Sequence, residues 1–186
     1  MLSSIVWFLG WVVLVKAIYH LVKYLYCVFG NKGKDLRAEY TGKEGFALVT
    51  GSTDGIGFAF AKELAKRGVN VIITGRSSDK LKNKMEELRN SYPKVDVLGI
   101  FVDFSTKDFM ATIEKETRGR DIGILVNNVA TILDKGIGEL TQSEIENTIH
   151  LNSLVHSLML NYFLPLMNRR TKRSGLIDVA STLSLG

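Results

Sequence analysis

Three glycines mark where this chain could do chemistry. Residues 46–57 read Phe-Ala-Leu-Val-Thr-Gly-Ser-Thr-Asp-Gly-Ile-Gly, an apolar run followed by Gly51, Gly55 and Gly57. Without side chains at those points a diphosphate can approach the backbone. The amides and dipole of a helix N-terminus then favour its negative charge. The loop Gly51, Ser52, Thr53, Asp54, Gly55, Ile56 and Gly57 is the expected cofactor-binding loop. A phosphate loop of the Gly-Lys-Ser/Thr type is excluded, because Gly55-Ile56-Gly57 has no such ending. The competing reading is a plain glycine-rich corner between strand and helix.

Further polar residues follow other apolar runs. Residues 74–77 read Thr-Gly-Arg-Ser, with no acid. A site that prefers NAD carries a carboxylate about 20 residues past its glycines, on the ribose hydroxyls. A carboxylate would repel a 2′-phosphate, whereas a guanidinium binds it. Arg76 therefore points to NADPH, against the alternative of an exposed loop cation. Asp103, Asn127 and Ser181 stand at equivalent places after later runs.

These residues need elements to hold them. The pattern predicts a strand over Phe46–Thr50 and a helix over Gly57–Arg67, stopped by Gly68. A β-branched strand, Val69–Thr74, comes next, then a charged helix, Asp79–Ser91, ending before Pro93. Val95–Val102 is the third strand, Thr106–Arg118 a helix, and Ile122–Val126 the fourth strand. One long helix is expected from Thr141 to about Asn168, opened by a capping box of Thr141 and Glu144. Leu176–Val179 is the fifth strand. Such alternation specifies an α/β fold with a doubly wound, Rossmann-like parallel sheet. Its ligands sit beyond the C-terminal strand ends, at the switch point.

The words Thr-Gly-x-x-x-Gly-Ile-Gly at residues 50–57, Asn127-Asn128-Val129-Ala130, Leu151-Asn152-Ser153 and Asp178-Val179-Ala180-Ser181 together resemble the short-chain dehydrogenase/reductase family. The resemblance runs from Tyr40 to Gly186. The phrases Thr-Asp-Gly-Ile-Gly and Asp-Ile-Gly-Ile-Leu-Val-Asn-Asn-Val look like its microsomal very-long-chain 3-oxoacyl-CoA reductase and 17-beta-hydroxysteroid dehydrogenase subgroup. The resemblance implies an endoplasmic-reticulum enzyme that uses NADPH on a ketone, with a lipid or steroid as the small-molecule substrate.

It implies that Asp103 bonds the adenine amine; a turn-forming Asp that caps the next helix is the other reading. It implies that asparagine amides near Asn127 tie strand ends together. By the same resemblance Asn152 holds the water of a proton relay, and Ser181 bonds the substrate carbonyl. Ala130 departs from the family's glycine, and would be strained if that position needs a positive φ. The family's Tyr-x-x-x-Lys pair belongs beyond Ser181, and the sequence given stops at Gly186. Tyr162 does not replace it, since Leu166 stands four residues on.

The 186 residues allow one ordinary domain and a tail. Hydrophobic residues make up 46% of the chain, and the excess lies at the N-terminus. The run Ile5–Val15, continued past Lys16 to Phe29, gives about 25 residues where a bilayer needs roughly 20. Residues 1–30 are expected to be a membrane anchor that contacts lipid, either spanning or lying at the interface. Residues 31–45 are expected to be a linker. Lys32, Lys34 and Arg37 place the globular part in the cytosol by the positive-inside rule. The net charge is +5, yet no nucleic-acid motif accompanies it. The cluster Arg169, Arg170, Lys172 and Arg173 is expected as a solvated helix end. One cysteine, Cys27, permits no internal disulfide, and three scattered histidines form no expected metal site.

Two functional expectations follow. In the first, the chain is a truncated form of a membrane-anchored, NADPH-dependent ketone reductase, with little turnover of its own. In the second it is a non-catalytic nucleotide-binding membrane protein. The resemblance implies that the family's oligomer contacts fall largely past Gly186, so assembly is not argued from these residues and an oligomer is possible only in a full-length form.

Overall fold

The computed structural model describes residues 2–27 and 35–181. Two compact units divide the chain, residues 1–34 and residues 35–186. The first holds helix α1, Leu2–Leu25. Its stretch Trp7–Leu25 has 19 residues, a mean hydropathy of 1.5 and nothing buried, so it is long and apolar enough to cross a membrane. Lys32 and Lys34, on which the orientation argument partly rests, lie outside the described residues.

In the second unit β-branched runs alternate with capped helices. The strands are β1 (Phe46–Val49), β2 (Asn70–Gly75), β3 (Val97–Phe101), β4 (Ile122–Asn127) and β5 (Gly175–Asp178). They form one parallel sheet in the order β3-β2-β1-β4-β5. The helices are α2 (Gly55–Lys66), α3 (Ser78–Ser91), α4 (Phe109–Thr117), α5 (Gln142–Ile149) and α6 (Val155–Asn168). Asp54 caps α2, Ser77 caps α3, and Thr141 with Glu144 closes the expected capping box on α5.

The two-residue period of a strand sorts the core into two layers. Leu48, Ile72 and Ile100 pack with Phe109 and Ile113 of α4 and with Val155, Met159 and Phe163 of α6. Ala47, Val49, Val71, Ile73 and Val97 pack with Ala61, Leu64 and Ala65 of α2 and with Leu81 and Leu88 of α3. β4 breaks the period. Its pairing with β1 slips between Phe46 and Ala47, so Phe46 faces Ile122 while Ala47 faces Ile124. Ile122 and Ile124, two apart, thereby enter opposite core layers. Gly123 sits at the slip, where a Cβ would collide with the carbonyl of Tyr40.

One expectation gains detail and two change. The helix from Thr141 runs on to Asn168 as expected, but a π-helical turn, His150–Leu154, lies within it between α5 and α6. Residues 35–45 are no loose tether. Arg37–Thr41 forms a π-helical turn, Thr41 is 2% exposed, and Leu36 and Tyr40 pack on the sheet. The basic helix end is not uniformly solvated. Arg170 has a side chain 9% exposed. It donates to both oxygens of Asp121, to the carbonyls of Tyr40 and Arg173, and to Ser174 Oγ.

Candidate cofactor site

β1 leads into a turn whose shape the glycines make possible. Gly51 and Gly55 have φ of 60° and 52°, a region that favours glycine. At Gly57 a Cβ would collide with Gly51 O and Asn128 Nδ2, so helix α2 starts hard against the turn. The loop is pinned from both sides. Gly51 N donates to Thr74 Oγ1 at 3.0 Å. Ser52, fully buried, donates to Val49 O at 2.8 Å and accepts from Thr74 N at 2.8 Å.

From the other side Asn128 Nδ2 donates to Thr50 O and Gly51 O at 3.0 and 3.1 Å. Thr50 Oγ1 accepts from Asn128 N and Val129 N at 2.8 and 3.0 Å. Thr50, Thr74 and Asn128 thus set the shape of the corner. The Thr-Gly word and the doubled asparagine were the signals available for them.

The corner opens into a cleft of about 340 Å³ beyond the C-terminal strand ends. Gly51, Thr53 and Asp54 form one wall, Gly75, Arg76 and Asp103 another, and Val129, Ala130 and Thr131 a third. These segments follow β1, β2, β3 and β4, which meet at the switch point between β1 and β4. Asn147 and Leu151, from α5 and the π-helical turn, close the cleft; neither was singled out from the sequence.

The sequence candidates divide by position. Gly51, Thr53, Asp54, Arg76 and Asp103 line the cleft. Gly55 and Gly57 shape its loop, while Ile56 is 61% exposed on α2. Ser52 is buried behind the loop. Asn127 is 1% exposed and is not a cleft residue; its Nδ2 donates to His156 O at 3.4 Å, and its Oδ1 has no partner among the described residues.

Asn152 lies in the π-helical turn and clasps the backbone of one residue. Its Oδ1 accepts from Thr131 N at 2.8 Å and its Nδ2 donates to Thr131 O at 2.9 Å. The extra residue of that turn is where a helix commonly departs from regular geometry to serve a site. Ser181 is exposed, just past β5. Ala130 lines the cleft without strain, since among the described residues every positive φ belongs to glycine.

Electrostatics favours an anion on one side of the cleft. Asp103 is held below the usual carboxylate range, first by the backbone N–H of Ser105, then by its hydroxyl, with Arg76 adding charge attraction. Its Oδ1 accepts both Ser105 bonds, at 2.9 and 2.8 Å. That is the turn-forming geometry, and it leaves Oδ2 for another donor. Asp54 accepts from Gly55 N at 2.8 Å, but the first-turn amides of Ile56 and Gly57 have no intrahelical acceptor. Positive-φ glycines, a bare Gly57, open amides and a nearby guanidinium fit a dinucleotide carrying an extra phosphate.

Across the cleft wall His156 bridges two elements. Its Nε2 lies 2.7 Å from Val129 O, and its Nδ1 lies 2.8 Å from Asp178 Oδ1. A carbonyl only accepts, so Nε2 carries a proton. The ring joins the end of β5 to the wall after β4, a link absent from the sequence reading.

The description "short chain dehydrogenase" matches residues 45–185. This chain belongs to that family. Among curated short-chain dehydrogenase relatives, the human very-long-chain 3-oxoacyl-CoA reductase is 37% identical over 140 residues, which are 73% of this chain and 44% of that protein. The zebrafish (Danio rerio) very-long-chain 3-oxoacyl-CoA reductase-A is 40% identical over 149 residues, 78% of this chain and 45% of its own. The human inactive hydroxysteroid dehydrogenase-like protein 1 is 34% identical over 139 residues, 73% and 42% of the two chains. The chain thus spans less than half the length of these relatives.

Among solved structures, L-sorbose reductase from Gluconobacter frateurii, complexed with NADPH and L-sorbose, superposes with a TM-score of 0.71 at 27% identity. It covers 77% of this chain and 55% of its own. A metagenomic short-chain oxidoreductase in complex with NADP gives a TM-score of 0.65 at 27% identity, covering 74% and 62%. Within this chain no Tyr-x-x-x-Lys follows Ser181. Tyr19 and Lys23 have that spacing but lie on α1, outside the nucleotide-binding unit.

Proposed function

We propose that this chain is the cofactor-binding part of an NADPH-dependent ketone reductase, anchored in the endoplasmic-reticulum membrane with its globular part in the cytosol. The observation that carries the reading is the cleft at the β1–β4 switch point, with Gly51 on one wall and Arg76, rather than a carboxylate, on another. Support for the anchor is the apolar helix α1. Support for the substrate class is the name of the human relative, a very-long-chain 3-oxoacyl-CoA reductase. A steroid ketone is the other member of that class.

NADPH would supply the hydride. The loop from Gly51 to Gly57 receives its diphosphate on bare backbone and first-turn amides. Arg76 pairs with the 2′-phosphate. Asp103 Oδ2 accepts from the adenine amine. Asn152 fixes the segment after β4 through Thr131 and, with Ser181, orients water and the substrate carbonyl. The proton donor of the family, a tyrosine with a lysine beside it, has no counterpart after Ser181 in these 186 residues.

Calorimetry on the full chain in neutral detergent tests this. NADPH is expected to bind more tightly than NADH, and Arg76→Ala to weaken NADPH by roughly tenfold or more, the worth of one charge-assisted contact. Absence of heat with either coenzyme overturns the reading. A second reading, a non-catalytic nucleotide-binding protein, is favoured by the similarity to a relative named as inactive. Binding of NADPH by a full-length protein that reduces no 3-oxoacyl-CoA or steroid ketone would select it.

A further inference from the structure

At the opposite end of the sheet, by the start of β4, lies a second cavity of about 420 Å³. Its walls come from the turn after α4 (Arg118, Arg120), the start of β4 (Asp121, Ile122) and the last turns of α6 (Phe163, Arg169 and Arg170 among them). Four guanidinium groups face one carboxylate, and that carboxylate is already taken. Arg170 bonds both oxygens of Asp121 and spends its remaining hydrogens on Tyr40 O, Arg173 O and Ser174 Oγ.

Arg120 commits Nε to Glu116 O. Arg118 and Arg169 have no partner among the described residues, and both are exposed. The positive charge is therefore uncompensated. Beside it the cavity has an apolar floor: Phe163 is 1% and Ile122 6% exposed, with Leu166 at the rim.

We propose that this cavity binds an organic phosphate monoester, its phosphate on Arg118, Arg120 and Arg169 and its carbon substituent on Phe163, Ile122 and Leu166. Guanidinium forks match phosphate oxygens in planar pairs, and a half-apolar wall discriminates an ester from the bare ion. Arg170, held by Asp121, is a fixed wall rather than a ligand. The site is separate from the cofactor cleft, so the failure of one assignment leaves the other standing.

Phosphate esters can come from solution or from a membrane lipid, and two arms separate the sources. In the first, butyl phosphate is titrated into the full chain in neutral detergent and followed by phosphorus NMR line broadening, with inorganic phosphate beside it. In the second, the chain is placed with nanodiscs of phosphatidylcholine, with or without phosphatidic acid. The variant Arg118→Gln/Arg169→Gln removes two exposed cations. The control Lys80→Gln/Lys82→Gln removes the same charge from α3, away from the cavity.

The expected result is at least tenfold weaker binding for the arginine variant, near-unchanged binding for the lysine control, and a preference for butyl phosphate over the inorganic ion. If the response occurs with phosphatidic acid alone, the ligand is a lipid headgroup, and the assignment of a phosphate ester stands. Equal losses in the arginine and lysine variants, or an arginine variant that binds like wild type in both arms, overturn it.

Discussion

The two flanks of the sheet hold together by different means. On the β1–β2–β3 flank, burial does the work: all of β1 and β2 is buried, and Leu48, Val49, Val71 and Ile73 are 0% exposed. On the β4–β5 flank β4 is buried throughout, and the apolar cover thins only at β5. Leu176 and Ile177 of β5 are 43% and 37% exposed. Besides the burial of β4, that flank carries a set of polar clasps: Arg170 to Asp121, His156 between Val129 and Asp178, and Asn152 on Thr131. The cofactor cleft lies between the flanks. Its loop is rigid on the packed side and positioned by clasps on the other. Hydrophobic burial gives depth of stability without direction, whereas hydrogen bonds give direction at smaller net gain.

The contrast can be broken most directly in the strands. Leu48→Ala should cost about 2–5 kcal/mol in urea unfolding, whereas Leu176→Ala should cost under about 1 kcal/mol. Similar losses at the two sites would abolish the distinction. Next comes the seam. Gly57→Ala must push Gly51 or Asn128 aside, at about 1–3 kcal/mol, and should also remove NADPH binding. Gly55→Ala meets open space and strains only its own φ. It should therefore melt closer to the parent while still weakening the coenzyme.

Among the clasps, Arg170→Gln should cost about 1–3 kcal/mol, because Tyr40 O and Asp121 lose a charged donor. An unchanged melt would place Arg170 with the solvated cations. The smallest effect concerns acid. Glu144 is held down to about 2 from an ordinary 4.5, first by Lys135, then by Thr141 N–H and hydroxyl. A depressed folded value means that its stabilisation is full above pH 4.5 and fades as pH falls toward about 2. Glu144→Gln should flatten that part of the melting-temperature profile; an unchanged acid limb would remove the capping box from the account.

Much of this was legible along the chain, because its causes are local. The alternation of β-branched runs with helices, the stops at Gly68 and Pro93, and the Thr141–Glu144 box depend on neighbours a few residues apart. Boundaries moved where local turns won. Asp103 with Ser105 and Thr106 forms a turn, so α4 starts at Phe109 rather than at Thr106. The long helix expected from Thr141 is present, but it carries a π-helical turn at His150–Leu154, where Asn152 clasps the backbone N–H and carbonyl of Thr131.

By itself the sequence determined the strand–helix order, the bare corner at Gly51–Gly57 and the arginine in place of an acid after β2. Each is a property of residue type and spacing, which survives any arrangement of the rest. Only the tertiary structure decided that Asn128 rather than Asn127 ties the corner, that Arg170 is held by Asp121, that Gly123 shifts the register of β4, and that His156 reaches Asp178. Those outcomes hang on partners up to 130 residues away, as in the bond from Arg170 to Tyr40. A polar side chain finds its acceptor only after the sheet has brought both to one place.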